Sequence, residues 1–312
     1  MTTTTTQATH RGREAADLLG PVGLWTMQLE YQPAAAGRVI LAELEQAGYR
    51  TLWYPEALGR ESLTNAAIML GATSQMVIAS GITSIWGRDP VTMAAAHSAL
   101  TEAWPGRFLL GLGVSHSPLV EDVRGHRYES PLTKMAGYLD DMDSAPYQAA
   151  PPAGQPLRVL AALGPKMLEL AAGRSAGALT YLVTPEHTAV ARSVLQAGPL
   201  LAVEQAVVLE EDQAVARRIA RKYLEFYLPL PNYVRTLRKL GFTDSDMGGG
   251  GSDRLVDALV IWGGGDRIAA AVRAHHDAGA DHVCLQVLDH REDGEGLPRK
   301  AWSELAGPLL AG

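Results

Sequence analysis

The sequence predicts a single (β/α)₈ barrel. It contains eight short apolar segments typical of strands, helical segments with amphipathic spacing between them, and no Gly-x-Gly-x-x-Gly turn after the first strand. Alternating strands and helices favour a parallel sheet, for which an open doubly wound sheet is the competing architecture. The count of eight and the missing glycine turn favour the barrel, in which chemistry takes place at the C-terminal ends of the strands.

The predicted elements follow in regular order along the chain. Apolar and β-branched runs predict strands at residues 23–29, 51–54, 76–82, 108–113, 157–162, 178–183, 201–209 and 282–287. Helical spacing predicts helices at residues 34–46, 63–73, 90–104, 135–143, 166–172, 185–197, 213–227 and 267–278. Gly48 ends the first of these helices, and Pro90 opens the third at a position where its missing N–H costs nothing.

Three segments depart from this alternation. Residues 118–155 are less regular, and residues 229–252 carry extra helix and a glycine run, which predicts an insertion before the last helices. Residues 1–12 begin with a polar threonine tract and are predicted to form a disordered N-terminal tail. Residues 13–312 are then predicted to form one barrel domain.

Composition excludes several functional classes. The chain has 312 residues, of which 47% are hydrophobic, enough for one large core, and its net charge of −7 argues against a nucleic-acid partner. Cys284 is the single cysteine, so a disulfide within the chain is impossible, and the scattered histidines lack metal-ligand spacing. No apolar run has the length of a membrane span, and the threonine tract lacks a signal core. We therefore expect a cytoplasmic enzyme without a metal.

The turn after the fifth predicted strand is a candidate anion site. The strand ends, Gly164 turns the chain, Pro165 opens a helix, and Lys166 and Met167 follow in its first turn. The first N–H groups of a helix lack internal partners, and the helix dipole is positive there, so anions bind at such positions. An ordinary strand-to-helix connection with a solvated lysine explains the same residues. In the next turn along the chain, His187 and Thr188 would lie close to this site, although a plain capping turn is the alternative there.

Further candidates lie at the ends of other predicted strands. Gly81 comes late in the third strand, which suggests a bulge against something flat, or a kink that helps the barrel close. Ser115 and His116 follow Gly113 at the end of the fourth strand, and Glu56 follows the second. A histidine and a carboxylate at strand ends suit acid–base chemistry near neutral pH. A loop histidine bonded to backbone and an ion-pairing carboxylate are the structural alternatives.

Taken together, these segments resemble a known superfamily. Residues 80–83, 105–116 with their Pro-Gly-Arg-Phe run, and 163–171 resemble the bacterial luciferase-like monooxygenases, and more narrowly the branch that depends on the deazaflavin coenzyme F420. Residues 227–233, 240–244, 251–257 and 278–283 are similar to an actinobacterial subfamily of oxidoreductases whose substrates are mostly unknown. The resemblance covers nearly the whole chain from about Gly20.

The resemblance implies where the cofactor binds. It implies a luciferase-like barrel with a non-prolyl cis peptide near Gly81–Ile82, where a bulge packs behind the central ring of F420. FMN is the alternative cofactor, because the Pro-Gly-Arg-Phe run does not separate the two. The implied cofactor-binding residues are Gly81, Ile82, Thr83, Gly113, Gly164, Pro165, Lys166, Met167, His187 and Thr188.

The implied function is hydride transfer between F420 and an unidentified small organic substrate. Candidate catalytic residues are His116, Glu56 and Ser115. The sugar-phosphate dehydrogenases of the superfamily have Asp-His where this chain has Glu56-Ala57, and a carboxylate where it has His116, so their glucose-6-phosphate activity is not expected. An FMN-dependent monooxygenase and a non-catalytic deazaflavin-binding protein remain alternatives. We expect a small-molecule substrate and a homodimer, with neither nucleic acid nor membrane as a partner.

Overall fold

The structure is a computed structural model that describes residues 2–288 and 296–310, with only the backbone of residues 2–8. The strands in these ranges are β1 (Val22–Trp25), β2 (Thr51–Tyr54), β3 (Val77–Ser80), β4 (Thr83–Ser84), β5 (Phe108–Gly113), β6 (Arg158–Ala161), β7 (Gly177–Thr180), β8 (Leu200–Val208), β9 (Val260–Trp262) and β10 (His282–Val287). The helices are α1 (Thr2–Leu19), α2 (Ala34–Gln46), α3 (Ser62–Leu70), α4 (Pro90–Ala103), α5 (Pro131–Asp143), α6 (Pro165–Arg174), α7 (Pro185–Leu195), α8 (Gln213–Tyr227), α9 (Pro231–Lys239), α10 (Asp244–Met247), α11 (Asp253–Leu259), α12 (Gly265–Asp277) and α13 (Arg299–Leu310).

Eight of the described strands close into a parallel barrel. Their order is β10-β1-β2-β3-β5-β6-β7-β8, and β8 pairs with β10 to close the ring. The short strand β4 pairs with the end of β5, and β9 pairs with the end of β8. The (β/α)₈ barrel predicted from the sequence is therefore confirmed, and all its strands point their C-terminal ends towards one face.

The core has an inner and an outer layer. Inside the barrel, alternate residues of the strands pack together, and they include Trp25, Trp53, Leu109, Leu179 and Cys284. The opposite faces of the same strands pack against the surrounding helices in a larger apolar layer. Because both faces of each strand are buried, the strands read as continuous apolar runs, which made them easy to locate in the sequence.

The N-terminal segment contains a helix that was not predicted. Helix α1 spans Thr2–Leu19, while Met1 lies outside the described residues, and the disordered tail expected at residues 1–12 stays a prediction. Ala15 and Leu19 are fully buried against the N-terminal end of the barrel interior, and the backbone of Gly12 packs closely against Gly198. These positions are three and four residues apart, so they form one apolar helix face that the threonine tract obscured.

Other differences from the prediction are local. The first strand ends at Trp25 because Thr26 and Gln28 bond to each other through backbone and side chain and start a 3₁₀ turn. The insertion predicted at residues 229–252 contains α9 and α10, whereas β9 was not predicted. A cis peptide bond joins Gly81 and Ile82, which confirms that prediction. Within the described residues, no helix combines the length and apolar character that crossing a bilayer requires.

Candidate active site

A cavity of about 950 Å³ lies at the C-terminal ends of the barrel strands. Its floor is formed by strand ends, its sides by the loops after β1, β2, β5 and β6, and its roof by α8 and α9. Eight of the predicted site residues line this cavity: Glu56, Gly81, Ile82, Gly113, Ser115, His116, Gly164 and Met167. Thr83, Pro165, Lys166, His187 and Thr188 do not line it.

One wall of the cavity is built from small residues at the ends of β3, β5 and β6. A Cβ atom on Gly113 would lie 2.6 Å from the Ile82 side chain, so Ile82 packs directly over this glycine. Trp25 Nε1 donates a hydrogen bond to the Gly81 carbonyl at 3.0 Å and fixes the chain from the other side. Apart from the chain neighbours of Gly164, no atom of the described residues lies within 4 Å of the place where a Cβ on this glycine would stand. The wall is therefore rigid at Ile82 and open beside Gly164.

The N-terminus of α6 faces the cavity through backbone and not through its lysine. Gly164 is the N-cap residue, Pro165 is the first helical residue, and the N–H groups of Met167 and Leu168 bond to the Gly164 carbonyl. Gly164 and Met167 line the cavity, whereas the Lys166 side chain is exposed to solvent outside it. Successive helix residues point about 100° apart, so Met167 and Lys166 cannot share one direction.

His187 and Thr188 support this turn from behind. The buried His187 ring bonds through Nε2 to the Leu163 carbonyl at 3.0 Å, and burial lowers the pKa of the imidazole, so the neutral ring is the donor. Its Nδ1 has no partner among the described residues. Thr188 Oγ1 bonds to His275 Nδ1 at 2.8 Å, and neither side chain faces the cavity. His187 thus contacts Leu163, the residue before Gly164, and not the cavity itself. The role of His187 and Thr188 as cofactor contacts stays a prediction.

Glu56 is held in an ion pair at the edge of the cavity. Its carboxylate accepts hydrogen bonds from both terminal nitrogens of Arg88 and from the Ser84 backbone N–H at 2.7 Å. Arg88 also pairs with Glu61 at 2.7 Å. These hydrogen bonds tie the end of β2 to Arg88 and to the chain at β4. This arrangement matches the ion-pairing alternative weighed for Glu56 in the sequence.

His116 and Ser115 lie together on the loop after β5. The His116 ring packs against Tyr233 of α9, with ring centres 5.7 Å apart, and makes no hydrogen bond to another described side chain or carbonyl. Burial lowers the pKa of His116, so the imidazole is neutral at neutral pH and can accept a proton. Ser115 has a positive φ of 56°, and its carbonyl accepts a hydrogen bond from Tyr128 at 3.2 Å. Thr83, by contrast, is fully buried and bonds to Ser62.

An acidic residue in the cavity was not predicted from the sequence. Glu30 lies in the 3₁₀ turn after β1 and lines the cavity beside Gly59, whose missing side chain leaves room for the carboxyl group. Burial raises the pKa of Glu30 from 4.5 to about 7, while nearby Arg60 opposes this effect. A carboxyl with a pKa near the working pH is suited to proton transfer. A glutamate in the turn directly after a predicted strand was the signal that could have found it.

Three cationic residues, also missed, lie at the cavity mouth. On α8, Arg217 and Arg221 bind Asp253 and Asp257 of α11. Arg218 and Lys222 each follow one of these arginines in the sequence and line the cavity, as does Arg235 of α9. We call Arg218, Lys222 and Arg235 the mouth cations; all three are exposed. Helical spacing of four places Arg218 and Lys222 on one face.

A polar cluster in the cavity wall was also missed. Its side chains bond to one another and come from the residue after β7, from α8 and from β10: Tyr181, Tyr223, Tyr227 and Gln286. Beneath them lies Glu204, a fully buried glutamate inside the barrel. Glu204 and Gln205 interrupt an otherwise apolar strand, and that interruption was the available signal.

Curated relatives share about a quarter of their residues with this chain. A candidate coenzyme F420-dependent oxidoreductase of Mycobacterium tuberculosis, Rv3520c, is 26% identical over 248 residues, which cover 65% of this chain and 71% of that protein. The 5,10-methylenetetrahydromethanopterin reductase of Methanolobus tindarius is 25% identical over 283 residues, covering 77% of this chain and 86% of that protein.

Solved structures with the same fold carry different cofactors. An F420-dependent secondary alcohol dehydrogenase, in complex with an F420-acetone adduct, superposes with a TM-score of 0.73 at 13% identity, covering 93% of this chain and 98% of that chain. The oxygenating constituent of 3,6-diketocamphane monooxygenase from Pseudomonas putida, in complex with FMN, has a TM-score of 0.61 at 15% identity, covering 92% and 95%. At these identities the likeness shows the fold. The Luciferase-like monooxygenase family matches residues 16–282, and the chain belongs to this family.

Proposed function

We propose that this protein is an F420-dependent oxidoreductase that transfers a hydride between the deazaflavin and a small organic substrate. The observation that carries the proposal is the cavity with its wall at Ile82, Gly113 and Gly164. Ligand pockets commonly measure about 300–1,000 Å³, so a cavity of about 950 Å³ has room for a tricyclic ring and a second molecule. The two relatives named above, whose names specify F420 or a reductase, support the same reading.

The residues present fit a deazaflavin. Ile82 and Gly113 offer a firm apolar surface for a flat ring, and the open space beside Gly164 admits an anionic group close to the N-terminus of α6. F420 carries a phosphate and an acidic tail, and the mouth cations Arg218, Lys222 and Arg235 complement these negative charges. FMN lacks the acidic tail, so this arrangement favours F420 over FMN.

When bound, the deazaflavin supplies the hydride chemistry, and the protein supplies orientation and proton transfer. Glu30, with a pKa of about 7, exists in both protonation states near neutral pH and can either give or take a proton in the cavity. His116 is neutral there and can take one. Glu56 is engaged by Arg88, so we assign it the support of the loop around β4. Ser115 stays a predicted catalytic residue.

Parallel titrations with F420 and FMN test this proposal. Purified protein is added to each compound and binding is followed by fluorescence, after which reduced F420 is offered with a panel of carbonyl and enone compounds. We expect F420 to bind at least tenfold more tightly than FMN and its reduced form to be oxidised by members of the panel. Tighter binding of FMN with oxygen consumption would instead establish a flavin monooxygenase. Binding of F420 without turnover of any compound would establish a non-catalytic deazaflavin-binding protein.

We also propose that the chain forms a homodimer, as expected from its family resemblance. Light scattering after size-exclusion chromatography measures the mass in solution. A mass of twice 33.3 kDa supports the dimer, and a mass equal to the single chain contradicts it.

A further inference from the structure

The hydroxyl cluster consists of Tyr181, Tyr223, Tyr227 and Gln286. The Tyr181 hydroxyl donates to the Gln286 side-chain oxygen at 2.6 Å. The Tyr223 hydroxyl oxygen lies 3.0 Å from the Tyr181 hydroxyl oxygen and 3.3 Å from the same glutamine oxygen. The oxygens of Tyr181 and Tyr227 are 2.9 Å apart. All four side chains line the cavity. The cluster therefore presents a connected set of polar atoms to any bound molecule.

The tyrosine hydroxyl groups of this cluster donate their hydrogen bonds to other members of the cluster. The short bond to Gln286 uses the single hydroxyl proton of Tyr181, so Tyr227 must be the donor in its bond with Tyr181. Tyr223 also donates within the cluster. The oxygens of Tyr223 and Tyr227 keep unused lone pairs, and the Gln286 amide nitrogen takes no part in these bonds. A substrate hydroxyl can donate to the oxygens of Tyr223 and Tyr227, and a substrate carbonyl can accept from the amide nitrogen of Gln286.

The surroundings of the cluster are unfavourable for an anion. Burial raises the pKa of Tyr181, Tyr223 and Tyr227 above the ordinary tyrosine value, so their hydroxyls stay neutral. Glu204 lies beneath them, with one carboxyl oxygen lacking any partner among the described residues. A charged ligand group here would lose its hydration without gaining an opposite charge in the cluster, which is costly.

Apolar side chains also line the cavity near the cluster. The Trp25 ring meets Tyr181 edge-on, with ring centres 5.5 Å apart, and Ile219 and Leu288 also line the cavity. The wall proposed for the deazaflavin lies at or just after the ends of β3, β5 and β6, whereas the cluster lies just after β7, on β10 and on α8. The two groups thus occupy different sectors of the barrel mouth.

We infer that the hydroxyl cluster binds the oxygen function of a neutral and otherwise apolar substrate, namely an alcohol or a carbonyl compound. This inference rests on the proposed function, because it assigns the substrate sector of the same cavity. Phosphorylated and carboxylated compounds are excluded from the cluster on this basis.

Binding of three matched probes tests the inference without requiring turnover. Benzyl alcohol, toluene and benzoate are titrated into the protein by ligand-observed NMR, once without cofactor and once with saturating F420. Because a hydrogen bond is worth a modest net amount, we expect benzyl alcohol to bind about two- to tenfold more tightly than toluene. Benzoate should bind more weakly than benzyl alcohol.

The variant Tyr223→Phe/Tyr227→Phe removes the acceptor oxygens and should make benzyl alcohol and toluene bind equally. Gln286→Met is a second variant that removes the amide and should reduce the same preference if the first does not fold. Tyr147→Phe, outside the cavity, should keep the full preference as the matched control. An undiminished preference in both cluster variants, or tightest binding by benzoate, would overturn the inference. If the protein prefers benzyl alcohol over toluene but does not bind F420, only the proposed cofactor is refuted. If it binds F420 but shows no preference for benzyl alcohol, only this substrate site is refuted.

Discussion

Glu204 allows a quantitative test of the buried polar layer beneath the cavity. Its carboxyl group has no exposed surface, one oxygen accepts a hydrogen bond from Leu182 N at 3.1 Å, and the other has no partner among the described residues. Burial raises the pKa of Glu204 from 4.5 to about 8. The folded protein therefore keeps this proton over a pH range in which the unfolded chain releases it.

The sign of the effect follows from proton binding. Between pH 4.5 and about 8 the folded state binds more protons at Glu204 than the unfolded state, so the free energy of unfolding falls as pH rises. One pKa unit corresponds to about 1.36 kcal/mol, so the two pKa values imply a loss of about 5 kcal/mol over the full range. About 2 kcal/mol of this loss falls between pH 6.5 and 8.

Glu204→Gln should abolish this part of the pH dependence. Glutamine retains an oxygen that can accept from Leu182 N, and it cannot ionise. Urea unfolding of both proteins at pH 6.5, 7.25 and 8 measures the difference in unfolding free energy, in which all shared groups cancel. We expect the variant to gain about 2 kcal/mol relative to the parent across this range. Glu225→Gln on the exposed face of α8 should show a constant difference. Parallel pH profiles for Glu204→Gln and the parent would refute the reasoning.

Three further predictions concern the cavity. Gly164→Val should fold normally but weaken F420 binding at least tenfold, because the valine side chain enters the open space beside α6. Gly173→Val should leave F420 binding unchanged, and equal F420 affinities of the two variants in a fluorescence titration would contradict this prediction. Glu30→Gln should remove an ionisation near pH 7 from the pH profile of kcat/KM, and an unchanged profile would exclude Glu30 from proton transfer. His116→Ala should lower kcat at least about tenfold if the imidazole exchanges a proton with the substrate, and near-normal kcat would decide against that role.

The barrel could be predicted from the sequence because each strand is buried on both faces. The run Phe108–Gly113 is apolar along its whole length and buried throughout, so composition alone indicated its position. The helix α1 was missed because two of the three buried positions on its face are the small residues Gly12 and Ala15, which give little hydrophobic signal. The strand β9 has three residues, too few to distinguish it from the end of the preceding helix.

The sequence predicted the site residues correctly where the backbone alone places them at the cavity. Gly81, Gly113 and Gly164 were found because a glycine at a strand end marks a close approach of the chain. Lys166 and Thr188 were placed on the correct turns, but the direction of a side chain depends on the rotation of its helix about its axis, which the turn sequence does not determine. Tyr181 and Gln286 are 105 positions apart, and only closure of the barrel brings them into contact.

The proposed function requires a deazaflavin to bind against the ends of β3, β5 and β6. Hydrogen–deuterium exchange measured by mass spectrometry, with and without F420, tests this most directly. We predict slower amide exchange in peptides covering residues 81–84, 113–116 and 163–168, and unchanged exchange in the outer helix α2. Binding of F420 that protects other segments and leaves these three unchanged would contradict the claim.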